Sequence, residues 1–198
     1  VDSAYNYAQV EGKTTVYTIS STLADDLNVE LMDLAQVETF PDLSEDNMET
    51  IAIQRDGQTL TLAKRTSTET DEDSGETVSS YTWSLDGQDI DADNDVLSGM
   101  LSSLSYLYFS SCYDYRSDAE EQAACGLDDP VTITVTCSDG SAMKLEIGGA
   151  TDDGSYYYAV LNGSDAIHRI NESIVEDLLS ATADSLLAAD TETEEAAS

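Results

Sequence analysis

The sequence predicts an α+β protein of two homologous lobes, each an antiparallel β-sheet with a packed helix, preceded by a hairpin and helix from a truncated repeat. Two observations carry the prediction. Alternating apolar strands flank an Asp-Gly turn twice, at Asp56-Gly57 and Asp139-Gly140. Each such unit then runs through an aromatic strand into an amphipathic helix. Alternation around Asp-Gly is a strong short-range hairpin signal, because that turn's twist matches the twist of the strands it joins.

In chain order, Tyr5 to Ile19 reads as a hairpin turning near Glu11-Gly12, followed by a helix from about Thr22. Leu23, Leu27, Leu31 and Leu34 would form its apolar stripe, with Ser20 or Ser21 as the cap. This piece aligns without a gap on Tyr156 to Leu178, so residues 1–36 are expected to close an earlier unit whose front is missing. Residues 37–113 form the first expected lobe. Ile51-Ala52-Ile53 and Thr59-Leu60-Thr61-Leu62 are its hairpin, and Tyr81-Thr82-Trp83-Ser84-Leu85 its aromatic strand. Its helix carries Val96, Leu97, Met100, Leu101, Leu104, Leu107 and Tyr108 at helical spacing, with Asn94 or Asp95 as N-cap.

The second expected lobe, 114–190, repeats this grammar. Val131 to Val135 and Met143 to Ile147 are the hairpin, and Tyr156 to Leu161 the aromatic strand. One helix carrying Ile174, Val175, Leu178, Leu179, Leu186 and Leu187 follows, entered from Asn171 or Ser173. The acidic stretch Glu69 to Glu76 reads as a solvated loop, and 191–198 as a disordered acidic tail.

Charge narrows the function classes. The 198 residues hold 41 Asp plus Glu against 7 Lys plus Arg, a formal charge of -34. Nucleic-acid binding rests on cations displacing counterions from phosphates, so no nucleic-acid partner is expected. Anionic lipid headgroups are disfavoured for the same reason. No apolar run reaches spanning length. A single His, His168, leaves little scope for acid–base or Cys-His catalysis. It is expected to be exposed on a strand that buries Ile167 and Ile170. No catalytic residues, metal or cofactor are assigned. Asp89 to Asp95 places carboxylates at alternate positions, as a calcium loop does, but Asn94 and Met100 stand where an EF-hand needs Gly and Glu. An acidic first turn complementing the helix N-terminus is the simpler reading.

Two features remain open. Tyr81, Trp83, Tyr156, Tyr157 and Tyr158 lie on equivalent strands, where they either stack on sugars or peptides or pack across strands. Cys112 and Cys125 flank the acidic segment joining the lobes; their spacing permits a disulfide outside the cytoplasm, or two unrelated buried thiols. Cys137 reads as a small core residue.

One ordered set of motifs reaches further. Cys125-Gly126-Leu127-Asp128-Asp129-Pro130 is followed by a strand, Asp139-Gly140 and Leu145-Glu146-Ile147-Gly148. Tyr157-Tyr158-Ala159, the Asn162-Gly163 turn, Ile170 and a closing helix complete the order. This resembles the bacterial family called domain of unknown function 4340, whose pattern is Tyr-Gly-Leu-x-x-Pro, strand, Asp-Gly, Ile-Gly and a Tyr-Tyr-Ala strand. Cys125 replaces the motif tyrosine. The resemblance implies an extracytoplasmic protein of the cell surface or periplasm, tethered by an N-terminal membrane helix or lipid anchor and accessory to an ABC-type transporter. The chain opens Val1-Asp2-Ser3 without an initiator Met, so that anchor is expected upstream. The expected function is thus a non-enzymatic cell-envelope interaction module with a protein partner. The alternative is a glycan- or peptide-binding domain using the tyrosine-rich strands.

Overall fold

The computed structural model describes residues 4–28, 36–70 and 77–188. The expected positions Leu31 and Leu34, the side chain of Leu27, the tip 71–76 and the tail 191–198 lie outside them. The chain divides into two compact units, residues 1–36 and 37–198. In the first, β1 (Tyr5–Gln9) and β2 (Val16–Ser20) pair antiparallel with Tyr7 opposite Thr18. Helix α1 (Ser21–Leu27) follows directly, because the Ser20 hydroxyl accepts the Leu23 amide at 3.1 Å and caps it.

The second unit is built on nine strands: β3 (Met48–Arg55), β4 (Gln58–Thr70), β5 (Thr77–Leu85), β6 (Gln88–Asp89), β7 (Ser111–Asp114), β8 (Val131–Cys137), β9 (Ala142–Ala150), β10 (Tyr156–Leu161) and β11 (Ile167–Asn171). They form one antiparallel sheet in the order β6-β5-β4-β3-β8-β9-β10-β11-β7. The expected division into two lobes, each with its own sheet, is therefore corrected. Each half supplies a meander, but the first strands of both halves pair with each other, Ile51 opposite Val135 and Ile53 opposite Ile133. Pairing these edges satisfies backbone groups that separate sheets would leave bare. The hairpin turns differ in detail. Asp56 and Gly57 both take positive φ, 49° and 71°, as a two-residue turn requires. The other turn is longer, with the Cys137 amide donating to the Ser141 carbonyl and the Gly140 amide to Cys137.

Among its described residues this unit has four helices: α2 (Asp95–Ser105), α3 (Ala119–Ala124), α4 (Glu172–Ser180) and α5 (Ala183–Leu187). Helices α2 and α4 share one face of the sheet and touch each other. Leu97, Met100, Leu104, Val175 and Leu178 bury there against Ile51, Ile53, Leu62, Ile133, Val135 and Leu145. Each such side chain contributes about 1.5–3 kcal/mol, so this layer dominates the stability. The stripe expected to continue to Leu107 and Tyr108 stops at the cap residue Tyr106, and Tyr108 is exposed.

The single closing helix expected at 172–187 is two helices. Ala181 turns to an extended backbone, and Thr182 caps α5 through the Ser185 amide. The Arg55 guanidinium donates to the carbonyls at the end of α4, those of Leu179 and, at 2.9 Å, of the cap residue Ala181. The break lets α5 fold onto β5, where the buried Asn94 side chain donates to the Ser185 and Leu186 carbonyls. The second half thus ends on strands of the first.

The opposite face is mostly polar, with rows such as Thr61, Ala52, Thr134 and Lys144 across neighbouring strands. Near β10 and β11 it is covered by a small cluster of Cys125, Val160 and Ile167. There the chain at Cys125-Gly126 crosses β9 at backbone contact, the Gly149 amide donating to the Cys125 carbonyl at 2.8 Å. A Cβ on Gly148 would stand 2.3 Å from that carbonyl oxygen.

Candidate functional site

A cleft of about 670 Å³ lies between β5 and α2. Trp83 lies on the sheet side with Ile90, and Leu97 and Leu101 line the helix side. The indole is buried, and its Nε1 has no hydrogen-bond partner among the described residues. Ser98, Ser102 and Ser105, spaced one turn apart on α2, add hydroxyls to the lining, and Tyr81, Tyr106 and Glu45 complete it. Aromatic and aliphatic side chains beside several hydroxyls and one carboxylate give the cleft both apolar contact and hydrogen-bonding groups for a ligand.

The local sequence accounts for this arrangement. Asn94 caps α2 by accepting the Leu97 amide at 2.9 Å, which sets the helix phase and faces Leu97 and Leu101 inward. Lys64, on β4, donates to the carbonyls of Glu45 and Asp46 at 2.9 and 2.8 Å and lies 5.7 Å from the centre of the Tyr81 ring. That one ammonium holds the 45–46 segment beside the cleft. Hydrogen bonding to Glu45, then burial and the Glu45 and Asp46 charges, pushes the Tyr81 phenol above its ordinary pKa. Tyr81 therefore stays neutral at physiological pH.

Of the five aromatic residues singled out in the sequence, the structure brings Tyr81 and Trp83 together in this cleft. Tyr156, Tyr157 and Tyr158 are elsewhere: β10 stands five strand spacings from β5, roughly 24 Å. Tyr157 packs against the main core. Tyr158 lies in the opposite-face cluster, with the Tyr113 ring 4.7 Å away and Arg169 over Tyr113 at 4.9 Å. The α2 serines, Glu45 and Tyr106 belong to the site without having been singled out. Their signal was the spacing of Ser98, Ser102 and Ser105 beside the apolar stripe.

His168 corrects an expectation. It is fully buried, not exposed, because β7 pairs along β11 and Phe109 stacks on the ring at 4.3 Å. Its Nε2 is 3.1 Å from Glu38, and its Nδ1 has no partner among the described residues. Burial lowers the imidazole below 6.5, outweighing the upward pull of Glu38. The unfolded chain then takes up a proton that the folded protein resists. Stability from this group is complete above pH 6.5 and lost as pH falls below it. The slope has an upper bound of about 1.4 kcal/mol per pH unit until the buried ring itself titrates. Many carboxylates titrate lower down, so the slope is read as a difference. Denaturant unfolding between about pH 7 and 5 should show a steeper loss for wild type than for His168→Phe. Equal slopes would show that the buried ring accepts its proton as readily as the unfolded one.

All three cysteines are free thiols. Cys112 sits on β7 opposite His168, with its thiol toward the Ile167 carbonyl at 3.8 Å. Cys125 caps α3 in the cluster on the other face. Burial first, then neighbouring carboxylates, raises both thiol pKa values, with Asp114 and Glu38 acting on Cys112 and Asp114 and Glu121 on Cys125. Cys137 is buried in the core. Within the acidic run, Asp89 pairs with Arg65, the Asp91 side chain accepts the Asp93 amide, and Asn94 caps α2. Among the described residues no three His, Cys, Asp or Glu side chains are placed to hold a metal.

No curated protein and no solved structure matches this chain. One family model does, over residues 83–191, from Trp83 through α2, the meander β8 to β11 and both closing helices. That span is more than half of the chain and contains the glycine crossing and the helical wall of the cleft. The chain belongs to the family described as Domain of unknown function (DUF4340).

Proposed function

We propose that this protein is a non-enzymatic binding module that takes its ligand in the cleft between β5 and α2. The observation that carries the reading is the cleft itself, where the indole of Trp83, whose buried N–H has no partner among the described residues, lies with Ile90, Leu97 and Leu101 opposite the hydroxyls of Ser98, Ser102 and Ser105. A buried donor without an acceptor is uncommon in folded proteins. The chemistry elsewhere supports binding over catalysis. The one imidazole is enclosed with Phe109 and Glu38, and the thiols at Cys112 and Cys125 are held protonated by burial. Family membership supports a place in the cell envelope, as an extracytoplasmic accessory to an ABC-type transporter, with a protein partner and a membrane anchor. The two halves, each a meander closed by a helix, read as diverged copies of one ancestral unit.

Trp83 is the only tryptophan, so its emission reports on the cleft alone. Titration with short blocked peptides and with an N-acetylglucosamine tetramer should shift that emission saturably for one of the two classes. Ser102→Phe, which fills the cleft from α2, should remove the response while leaving the melting temperature near that of wild type. A silent indole with both classes, or an unchanged response in Ser102→Phe, would sink the cleft as the site. Capture of a transporter subunit from detergent-solubilised envelope tests the location.

A further inference from the structure

We propose that the ligand of this cleft is an extended, positively charged polypeptide segment that joins the sheet as a strand beside β5. The inference rests on the cleft being the binding site and names what fills it. The argument begins with unequal strand lengths. β5 has nine residues, whereas β6 has two and pairs only with Ser84 and Leu85. One more bond, from the Ile90 amide to the Trp83 carbonyl at 2.8 Å, ends that track. Since Trp83 turns its carbonyl away from β4, strand alternation turns the N–H and C=O of Tyr81 the same way. No described strand pairs with that edge N-terminal to Ser84.

The cleft opens where the β6 track stops, since Ile90 and Ala92 line it together with Ser80 to Trp83 of β5. A chain continuing that track would lie about 4.8 Å from β5 and send alternate side chains toward Leu97 and Leu101 on α2. Backbone pairing supplies affinity in this mode, and the pocket for alternate side chains supplies selectivity.

Charge selects the sign of the ligand. Glu45 is in the lining, and Asp46, Asp89, Asp91 and Asp93 are near it in the same two segments. The nearby cations are already engaged, Lys64 with the Glu45 and Asp46 carbonyls and Arg65 with Asp89. The whole chain carries -34. A lysine or arginine on the ligand gains the field of these carboxylates and the ring faces of Tyr81 and Tyr106. An acidic strand, including a second copy of this chain, is repelled.

The test uses the full chain and three probes of defined chemistry: a blocked nine-residue peptide alternating Val with Lys, its Val–Glu counterpart, and an N-acetylglucosamine tetramer. The Val–Lys peptide should shift Trp83 emission, bind at least about tenfold more weakly in 0.5 M than in 0.05 M salt, and outbind the Val–Glu peptide by a similar factor. Amide exchange at Tyr81 should slow by about tenfold or more on saturation, which only a newly paired edge produces. Emission shifted by the Val–Lys peptide without protection of Tyr81 would overturn strand addition and keep the cleft. A response to the tetramer alone would overturn the peptide and keep the cleft. Protection of Tyr81 that persists in Ser102→Phe would overturn the cleft as the site and leave the strand pairing at β5 standing without it. Protection of Tyr81 that rises with protein concentration in the absence of peptide would assign the edge to a second copy instead.

Discussion

Gly148→Ala is expected to lose about 3 kcal/mol or more of stability, measured as a lower denaturant midpoint with an unchanged slope. The added Cβ would sit 2.3 Å from the Cys125 carbonyl oxygen and 3.1 Å from the Gly126 carbonyl carbon, so two stretches of backbone must separate. Neither can move freely. β9 is held by β8 and β10, and the Cys125 segment by the end of α3 and by the Gly149 amide at 2.8 Å. Separation breaks that hydrogen bond and opens the cluster of Cys125, Val160 and Ile167. Gly126→Ala should act in the same direction, since its Cβ would meet the Gly149 nitrogen at 2.7 Å at a φ of +72°. A midpoint shift within error for Gly148→Ala would mean that the crossing opens at no cost.

The second large effect is expected from Arg55→Ala, about 2–4 kcal/mol, on the scale of several hydrogen bonds to a charged donor. The guanidinium donates to Leu179 and to Ala181 at 2.9 Å, with Leu178 at the edge of reach at 3.3 Å. Its charge also opposes the negative end of the α4 dipole. The change leaves carbonyls without partners where α4 gives way to α5. The damage should therefore spread to α5 and show as faster amide exchange at Leu186. Arg55→Lys should recover only part of the loss, because an ammonium lacks the planar fork that reaches several carbonyls at once. Full stability in Arg55→Ala would assign the helix break to Thr182 alone.

Local features were readable in the residues, and long-range ones were not. Asp56-Gly57, Asn94 and Ser20 act through neighbours within four positions, and the structure uses them as turn and caps. The joining of β3 to β8 unites segments about eighty residues apart, and a free strand edge leaves no mark in composition. His168 was legible after all. Ile167 and Ile170 are three positions apart on a strand and so face opposite sides, which puts His168 on the buried side of Ile170. The break at Ala181 had a signal too, a Thr182 cap three residues before Ser185, masked by the apolar spacing that runs through it. The cleft was half legible. Tyr81 and Trp83 carried an aromatic signal, but the α2 serines matter only because the helix lies across β5.

The pairing of β3 with β8 bears on how the chain acquires its structure during synthesis. Strand β3 has its second neighbour only once Val131 to Cys137 has left the ribosome, and β5 is covered by α5 only at the far end of the unit. Until then the first meander exposes an Ile-rich face and an unpaired border to every other unfinished chain nearby. Such long-range closure favours slow folding. The predominance of carboxylates supplies mutual repulsion over that interval, keeping nascent chains apart until the second meander arrives.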